Sequence, residues 1–329
     1  MRVSEFQNLL AKLPTLTLSQ RELLLESLGE QTPFETVAMT VNERLLDNRE
    51  CPRCHSDSVY RWGKVRGFQR FFCRACRKTF TILTGTPLAR LRHREGWIAQ
   101  AEAICRGATI RRTAAECRVA PSTAFRWRHR WLANPNRRKE QPLNGIVEAD
   151  ETYFLENHKG SKAWVRMALG KPTAPPPNRR PRKRGGAASK RGMSAQQIPV
   201  LVVRDRSGAT SDAVLPAVNK QEIATVLKPL LTKDTLLCTD GLRIYKLVAK
   251  EQGFSHRPLN LRAGIRVEQQ AFHIQNVNAY HSRLKRWLRP FQGVATKYLP
   301  NYLGWRRMLE KHGEDLSPQF ILSLAAMPG

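Results

Sequence analysis

The sequence predicts a multidomain protein: a small helical N-terminus, a β module held by four cysteines, a helical pair ending in a basic helix, and an α/β domain with a central mixed sheet. Three observations predict it. The 329 residues suffice for two or three domains with at least one sizeable core. Two Cys-x-x-Cys pairs, Cys51/Cys54 and Cys73/Cys76, stand 18 residues apart. Beyond residue 144, strand-type stretches alternate with amphipathic helical ones.

Charge narrows the partners. Lys and Arg number 56 against 27 Asp and Glu, a net +29. A basic balance concerns what a protein meets rather than how it folds, and nucleic acid leads over an anionic membrane. No apolar run approaches the roughly 18 residues of a membrane span, and "MRVSEFQNLL" lacks the secretory pattern of basic start, apolar core and small-residue cleavage site. A cytoplasmic protein is expected, with no membrane partner and with cysteines as thiols rather than disulfides.

Residues 1–48 read as amphipathic helices, "FQNLLAKL" and "LTLSQRELLLESLGE", with Thr17 or Ser19 as a cap and Gly29 near the end. Residues 49–83 follow. Between the two cysteine pairs lie β-type stretches, "SVYRWGKV" and "FQRFFC", turning at Gly67. Cys51, Cys54, Cys73 and Cys76 have the spacing of a zinc ribbon, because four thiolates close a tetrahedral structural site around Zn²⁺. His55 is then a bystander. Ten Lys or Arg and a single acid, Asp57, fall between Cys51 and Arg92, which suits contact with phosphate.

Residues 94–133 predict a helix, then "IRRTAAECR", a turn at Val119-Ala120, and a helix opening on Pro121, a residue suited to a first turn. Two short helices about a tight turn form a helix-turn-helix, whose second helix can enter the major groove. The expected DNA-binding residues on it are Ser122, Thr123, Arg126, Arg128 and Arg130; Phe125, Trp127 and Trp131 offer apolar faces. A plain helical hairpin with a basic solvent face is the simpler alternative. "NPNRRKEQP" opens a polar linker over 134–144.

In 145–310, "GIVEADETYF" is a strand with Glu148 and Asp150 on one face and Val147 and Ala149 on the other. A segment over 171–193, rich in Pro and Gly, carries eight positive charges and no acid up to residue 192, so a loosely ordered basic loop is expected. "IPVLVVRDRSG" and "ATSDAVLPAV" form a hairpin turning at 206–208. "NKQEIATVLKPLLT" is a helix capped by Asn219, "TLLCTDG" a strand ending in Asp240, and "LRIYKLVAKEQG" a helix stopped by Gly253. "HIQNVNAYHSRLKRWL" is a last helix. Its stripe of Ile274, Val277, Leu284 and Leu288 packs inward, and Asn278 and Lys285, seven residues apart, line the edge. Residues 311–329 are expected as a C-terminal tail.

Asp150, Asp240 and Asn278 can thus converge at one edge of the sheet. Phosphodiester transfer needs its attacking and leaving oxygens clamped in line, and two divalent cations about 3.5–4 Å apart do this. Mg²⁺ keeps several waters, so two or three oxygen ligands suffice. Each aspartate alone reads more readily as a turn-maker; the four-cysteine ribbon, the helical pair and the +29 charge weigh against that reading.

"VEADETYF", "TDG" and "HIQNVNAYHSRLKRWLRPFQGVATKYLPNYLGWRR" together resemble the ISXO-like group of bacterial insertion-sequence transposases, over roughly residues 50–307. The resemblance implies an N-terminal zinc ribbon joined to an RNase H-like catalytic domain. It implies metal-dependent strand cleavage and strand transfer on the terminal inverted repeats of the element, with Mg²⁺ or Mn²⁺ as the catalytic ion. It places the catalytic metal ligands at Asp150, Asp240 and Asn278, with Lys285 on the phosphate. It also implies double-stranded DNA partners, a homodimer or larger synaptic assembly, and action at the bacterial nucleoid. Many relatives carry Glu where this chain has Asn278, while some branches carry Asn; an amide oxygen is a legitimate though weaker ligand for a hard cation. Glu148 shares a strand face with Asp150 and is the better placed extra ligand; Glu151 points the other way. Two rivals remain: a non-catalytic DNA-binding regulator, and a metal-dependent nuclease that cuts without joining.

Overall fold

The computed structural model describes residues 3–29, 50–65, 67–139, 142–171, 194–260 and 263–327. The expected basic loop, apart from Lys171, lies outside the described residues.

At the N-terminus, α1 (Val3–Lys12) and α2 (Leu18–Gly29) form as expected. Thr17 and Gln20 cap α2 reciprocally: each side-chain oxygen accepts the other residue's backbone N–H, at 3.3 and 3.0 Å. The ribbon is a three-stranded antiparallel sheet of β1 (Val59–Val65), β2 (Phe68–Cys73) and β3 (Thr79–Thr81). Gly67 makes its turn with φ +82°, a conformation costly for any residue with a Cβ.

Next come α3 (Trp97–Cys105), α4 (Ile110–Glu116) and α5 (Pro121–Trp131). The chain leaves α4 through Arg118 at φ +51° and enters α5 through an extended Ala120, so the expected turn is present. Two expectations from the sequence fail here. The linker over 134–144 starts as a helix, α6 (Ala133–Arg137), with Asn134 and Pro135 buried. The supposed tail contains α12 (Pro318–Ala325), which is deeply buried and capped by Ser317. Asn134 donates to the carbonyls of Leu324 (2.8 Å) and Met327 (3.1 Å), so polar residues of solvent-facing type instead tie the two segments together.

The α/β domain has a five-stranded sheet in the order β6-β5-β4-β7-β8. It comprises β4 (Ile146–Leu155), β5 (Gln197–Asp205), β6 (Thr210–Val214), β7 (Leu236–Thr239) and β8 (Ser255–Pro258). The first three are antiparallel, and β7 and β8 join β4 in parallel. This mixed sheet with its first strand central is the RNase H-like arrangement. A short helix, α7 (Ala163–Ala168), follows β4, where the sequence gives no helical signal. On one face of the sheet α8 (Lys220–Leu227) and α9 (Arg243–Gln252) cover Val147, Ala149, Leu201 and Leu237. On the other, α10 (Gln275–Leu288) and α11 (Leu299–His312) cover Val200, Val202 and Cys238. A short two-stranded ladder, β9 (Val267–Glu268) with β10 (Phe272–His273), leads into α10.

Helix α11 is buried on two sides. Leu299 and Leu303 pack on the sheet, whereas Tyr302, Trp305 and Met308 enter a second core with Phe68 of the ribbon and Trp97 and Trp131 of the helical unit. The indole of Trp305 donates to the Ile104 carbonyl at 2.9 Å. Gly304 lets α6 come close: a Cβ there would lie 2.5 Å from the backbone N and Cα of Asn136. Arg307 then bonds the Pro135 carbonyl (3.0 Å) and pairs with buried Asp212 on β6. The ribbon, helical unit and α/β domain are therefore locked through one helix.

Candidate active site and metal centres

The thiol cluster forms where two tight turns of the ribbon meet. The Cys51 and Cys76 sulfurs lie 3.8 Å apart and those of Cys54 and Cys73 3.5 Å. All four lie within 4.8 Å of one another. Zinc–sulfur bonds of about 2.3 Å in a tetrahedron space the sulfurs about 3.8 Å apart, whereas a disulfide needs about 2.05 Å. The geometry fits a zinc ion. A hydrogen bond from the Cys76 backbone, and then the neighbouring thiols, lower Cys73 to about 7, while burial and the same thiols raise its partner Cys54 to about 12, so without a metal the shared proton stays on Cys54. His55 and Arg77, each following a cysteine pair, turn the chain at φ +59° and +53°. The His55 ring lies exposed beside Glu50, at 3.1 Å, outside the thiol shell.

The acids meet at the C-terminal edge of the larger sheet. Parallel register pairs Glu148 of β4 with Cys238 of β7. Two residues further along stand Asp150, within β4, and Asp240, one residue past the end of β7; neighbouring strands run about 4.8 Å apart. Asp150 is largely buried. Asp240 is exposed and opens the turn into α9, its Oδ1 accepting the Leu242 N–H at 3.1 Å. Gly241, at φ +85°, allows that turn to pass 3.2 Å from the Leu259 carbonyl, measured from where a Cβ would sit.

The electrostatics of this edge are those of a site short of positive charge. Burial pushes Asp150 up to about 7, with Glu151 and then Asp240 adding to the rise and Lys285 opposing it. Burial lowers the Lys285 ammonium, and Asp150 counters. Helix α10 passes over β4 here. Its residues 278, 281 and 285 form one stripe at helical spacing, and the middle one, His281, sits with Nδ1 3.7 Å from the Asp150 carboxylate. Burial, and then Lys285, lower His281 to about 4, so its imidazole is neutral at pH 7. Asn278 is exposed one turn earlier on that stripe. Among the described residues, no three acid or imidazole groups at this edge close to the degree the four thiols do.

The two other glutamates of β4 have different surroundings. Glu148 is 0 % exposed. It accepts the Val277 N–H at 2.9 Å, pairs with Arg206 and lies 3.3 Å from His273. It therefore anchors the first turn of α10. Glu151, on the opposite face, accepts a hydrogen bond from the Tyr245 hydroxyl and is raised chiefly by burial. Strand alternation favours Glu148 over Glu151 as an extra ligand. Glu151 points away as expected, and Glu148, though on the Asp150 face, is paired with Arg206, distant in sequence.

On the helical unit, Ser122 and Arg126 of α5 are exposed, and Thr123 and Arg130 partly so. Arg128 departs from expectation. It is 0 % exposed, donates to the Ala108 carbonyl (2.7 Å) and Thr113 hydroxyl (2.8 Å), and lies 4.9 Å from the Trp305 ring. A guanidinium so enclosed braces the helical unit against α11 and cannot reach DNA.

Comparison with known sequences decides the family. The ISXO2-like transposase domain family matches residues 142–306, half of the chain. The chain belongs to the ISXO2-like transposases. The family of the InsA N-terminal domain, a zinc ribbon, matches residues 48–77, and a homeodomain-like helix-turn-helix family matches residues 88–136. An uncharacterized protein in transposable element ISH50 of Halobacterium salinarum is 29% identical over 274 residues, 80% of this chain and 87% of its own. A crystal structure of a pre-cleavage Mos1 transpososome aligns over 92% of this chain and 94% of the matched chain, at 14% identity and a TM-score of 0.25. The protein is thus a DNA transposase with a DDE-type domain, a DNA-binding helix-turn-helix and a ribbon whose thiols hold structural zinc. Among the described residues no helix is long and apolar enough to cross a membrane.

Proposed function

We propose that this transposase binds the terminal inverted repeats of its own element and cuts and rejoins DNA at the edge formed by Asp150, Asp240 and Asn278. These three would hold Mg²⁺ or Mn²⁺, two ions in all. The observation that carries the proposal is Asp150: burial and two neighbouring carboxylates push it up to about 7, against a single lysine. Such a cluster suits a divalent cation, because a cation relieves the repulsion that otherwise holds a proton there. When bound, the ions supply charge neutralisation and an activated oxygen nucleophile.

The chain's own groups do the remainder. Asp150 offers a carboxylate from the middle of β4, Asp240 one from just past the end of β7 beside it, and Asn278 offers a neutral carbonyl oxygen from α10. Lys285, two turns along the same helix, holds a phosphate oxygen as a point charge. His281, neutral and packed against Asp150, orients that carboxylate. Glu148 and Arg206 fix where α10 starts and hence where Asn278 stands. On α5, Ser122, Thr123, Arg126 and Arg130 contact the repeat. Pairing two element ends requires two or more copies of the chain, so the working assembly is a homodimer or larger, acting on the nucleoid in the cytoplasm.

Incubating the protein with Mg²⁺ and labelled duplex carrying the inverted repeat tests this directly. Joined product is expected. Nicks without joining would support a nuclease instead, and binding without cleavage a regulator.

A further inference from the structure

Away from the acid edge, a cleft of about 650 Å³ lies between the ribbon and the far end of α5. Arg53, Arg70, Arg90, Arg94 and Arg130 line it together with three threonines, and no acid lines it. It belongs to two domains at once: Arg53 and Arg70 come from the ribbon, Arg130 from the helix-turn-helix, and Arg90 and Arg94 from the segment between them.

Several of these side chains are held in place. Arg70 donates to the Thr79 hydroxyl at 2.9 Å, and Arg130 donates to the Ala89 carbonyl at 2.8 Å. The Arg94 guanidinium lies 4.6 Å from the Phe68 ring. Arg90 takes φ +58°, a strained conformation for a residue with a side chain. Five like charges gathered around one cavity repel one another unless an anion enters. The fixed donors match phosphate oxygens, and guanidinium groups suit that acceptor.

Position selects the anion. From Ser122 to Arg130 the helix rises about 12 Å, which equals three to four base-pair steps along a DNA axis at about 3.4 Å each. A duplex reached by the N-terminal turn of α5 therefore has backbone to offer at the cleft. We infer that the cleft is a phosphate clamp, seating the sugar-phosphate backbone of the same DNA end that α5 contacts. Ribbon and helix-turn-helix then bind as one unit. The inference rests on the helix-turn-helix reading above and extends it: the ribbon side contributes affinity without sequence choice, because backbone contacts position and base contacts specify.

The test uses the full-length, zinc-loaded protein and fluorescence anisotropy over a salt series. The probes are a labelled duplex carrying the inverted repeat and a scrambled duplex of the same length. Arg53→Ala/Arg90→Ala removes two exposed guanidiniums. It should weaken binding to both duplexes by the same factor and reduce the slope of log K against log salt by about 0.9 for each phosphate no longer neutralised. Arg53→Lys/Arg90→Lys should restore the slope. Arg90→Ala alone is the second variant, since Arg53 sits inside a zinc-binding turn. Arg126→Ala should instead narrow the preference for the repeat. An unchanged slope, or a weakening confined to the repeat duplex, overturns the clamp. If the wild type shows no preference for the repeat, the helix-turn-helix reading fails, and the slope on the scrambled duplex still decides the clamp.

Discussion

Replacing Asp150 by Asn should stabilise the protein while abolishing its chemistry. The carboxyl of Asp150 moves from an ordinary 3.8 to about 7 on folding, chiefly through burial and then through Glu151 and Asp240. The sign follows from linkage. Below pH 4 the group is protonated in both states and has no effect. Between about 4 and 7 the unfolded chain releases the proton and the folded one keeps it, so stability falls by about 1.4 kcal/mol for each pH unit. Above 7 the penalty is constant, on the order of 4 kcal/mol. The Asn side chain is uncharged and nearly the same size, so the variant should be the more stable protein at pH 8. The gap should shrink as pH falls toward 5. The assay is urea unfolding from pH 5 to 8 without added Mg²⁺ and without chelator, which would strip the ribbon's zinc. Adding Mg²⁺ should then stabilise the wild type and leave the variant unchanged. A variant less stable at pH 8, or a gap independent of pH, would refute the electrostatic account of the site.

Three further outcomes follow from particular contacts. Gly304→Ala drives a methyl group into the Asn136 backbone, and overpacking of this kind costs about 1–3 kcal/mol; a lower melting temperature and faster proteolysis within residues 134–144 are expected. Glu148→Gln keeps an acceptor for the Val277 N–H but breaks the ion pair with the partly exposed Arg206, at a cost of about 1.5–3 kcal/mol; strand joining should fall while end binding measured by anisotropy persists. Cys54→Ser removes one wall of the thiol tetrahedron, and zinc analysis should show the metal released together with a fall in affinity for the repeat.

Local signals carry most of the fold. Asn219 caps α8 through the Glu222 N–H, Gly253 stops α9 at φ +79°, and the hairpin turns at residues 206–208, all as the residue types require. The alternation along β4 puts Glu148 and Asp150 on one face because strand geometry leaves no other choice. What stays hidden depends on partners distant in sequence. "NPNRRKEQP" looks like a solvated linker, yet Asn134 bonds a C-terminal helix nearly two hundred residues on and Pro135 lies against α11. Arg128 looks like a groove-facing arginine, yet Trp305 of α11 encloses it. Glu148 is paired with Arg206, a residue nearly sixty positions on. His281 is legible in principle, since it falls midway between Asn278 and Lys285 on their stripe. The sequence offers no reason to prefer it over a core histidine until Asp150 stands beside it.

The central claim is that Asp150, Asp240 and Asn278 form the cation site of this transposase. Crystals of the protein bound to repeat DNA, soaked in Mn²⁺, test it most directly through anomalous scattering. The account predicts manganese peaks contacted by the Asp150 and Asp240 carboxylates, one of them also by the Asn278 side-chain oxygen. Peaks at Glu148, or density at the sheet edge that leaves Asp150 and Asp240 without a metal, would contradict it.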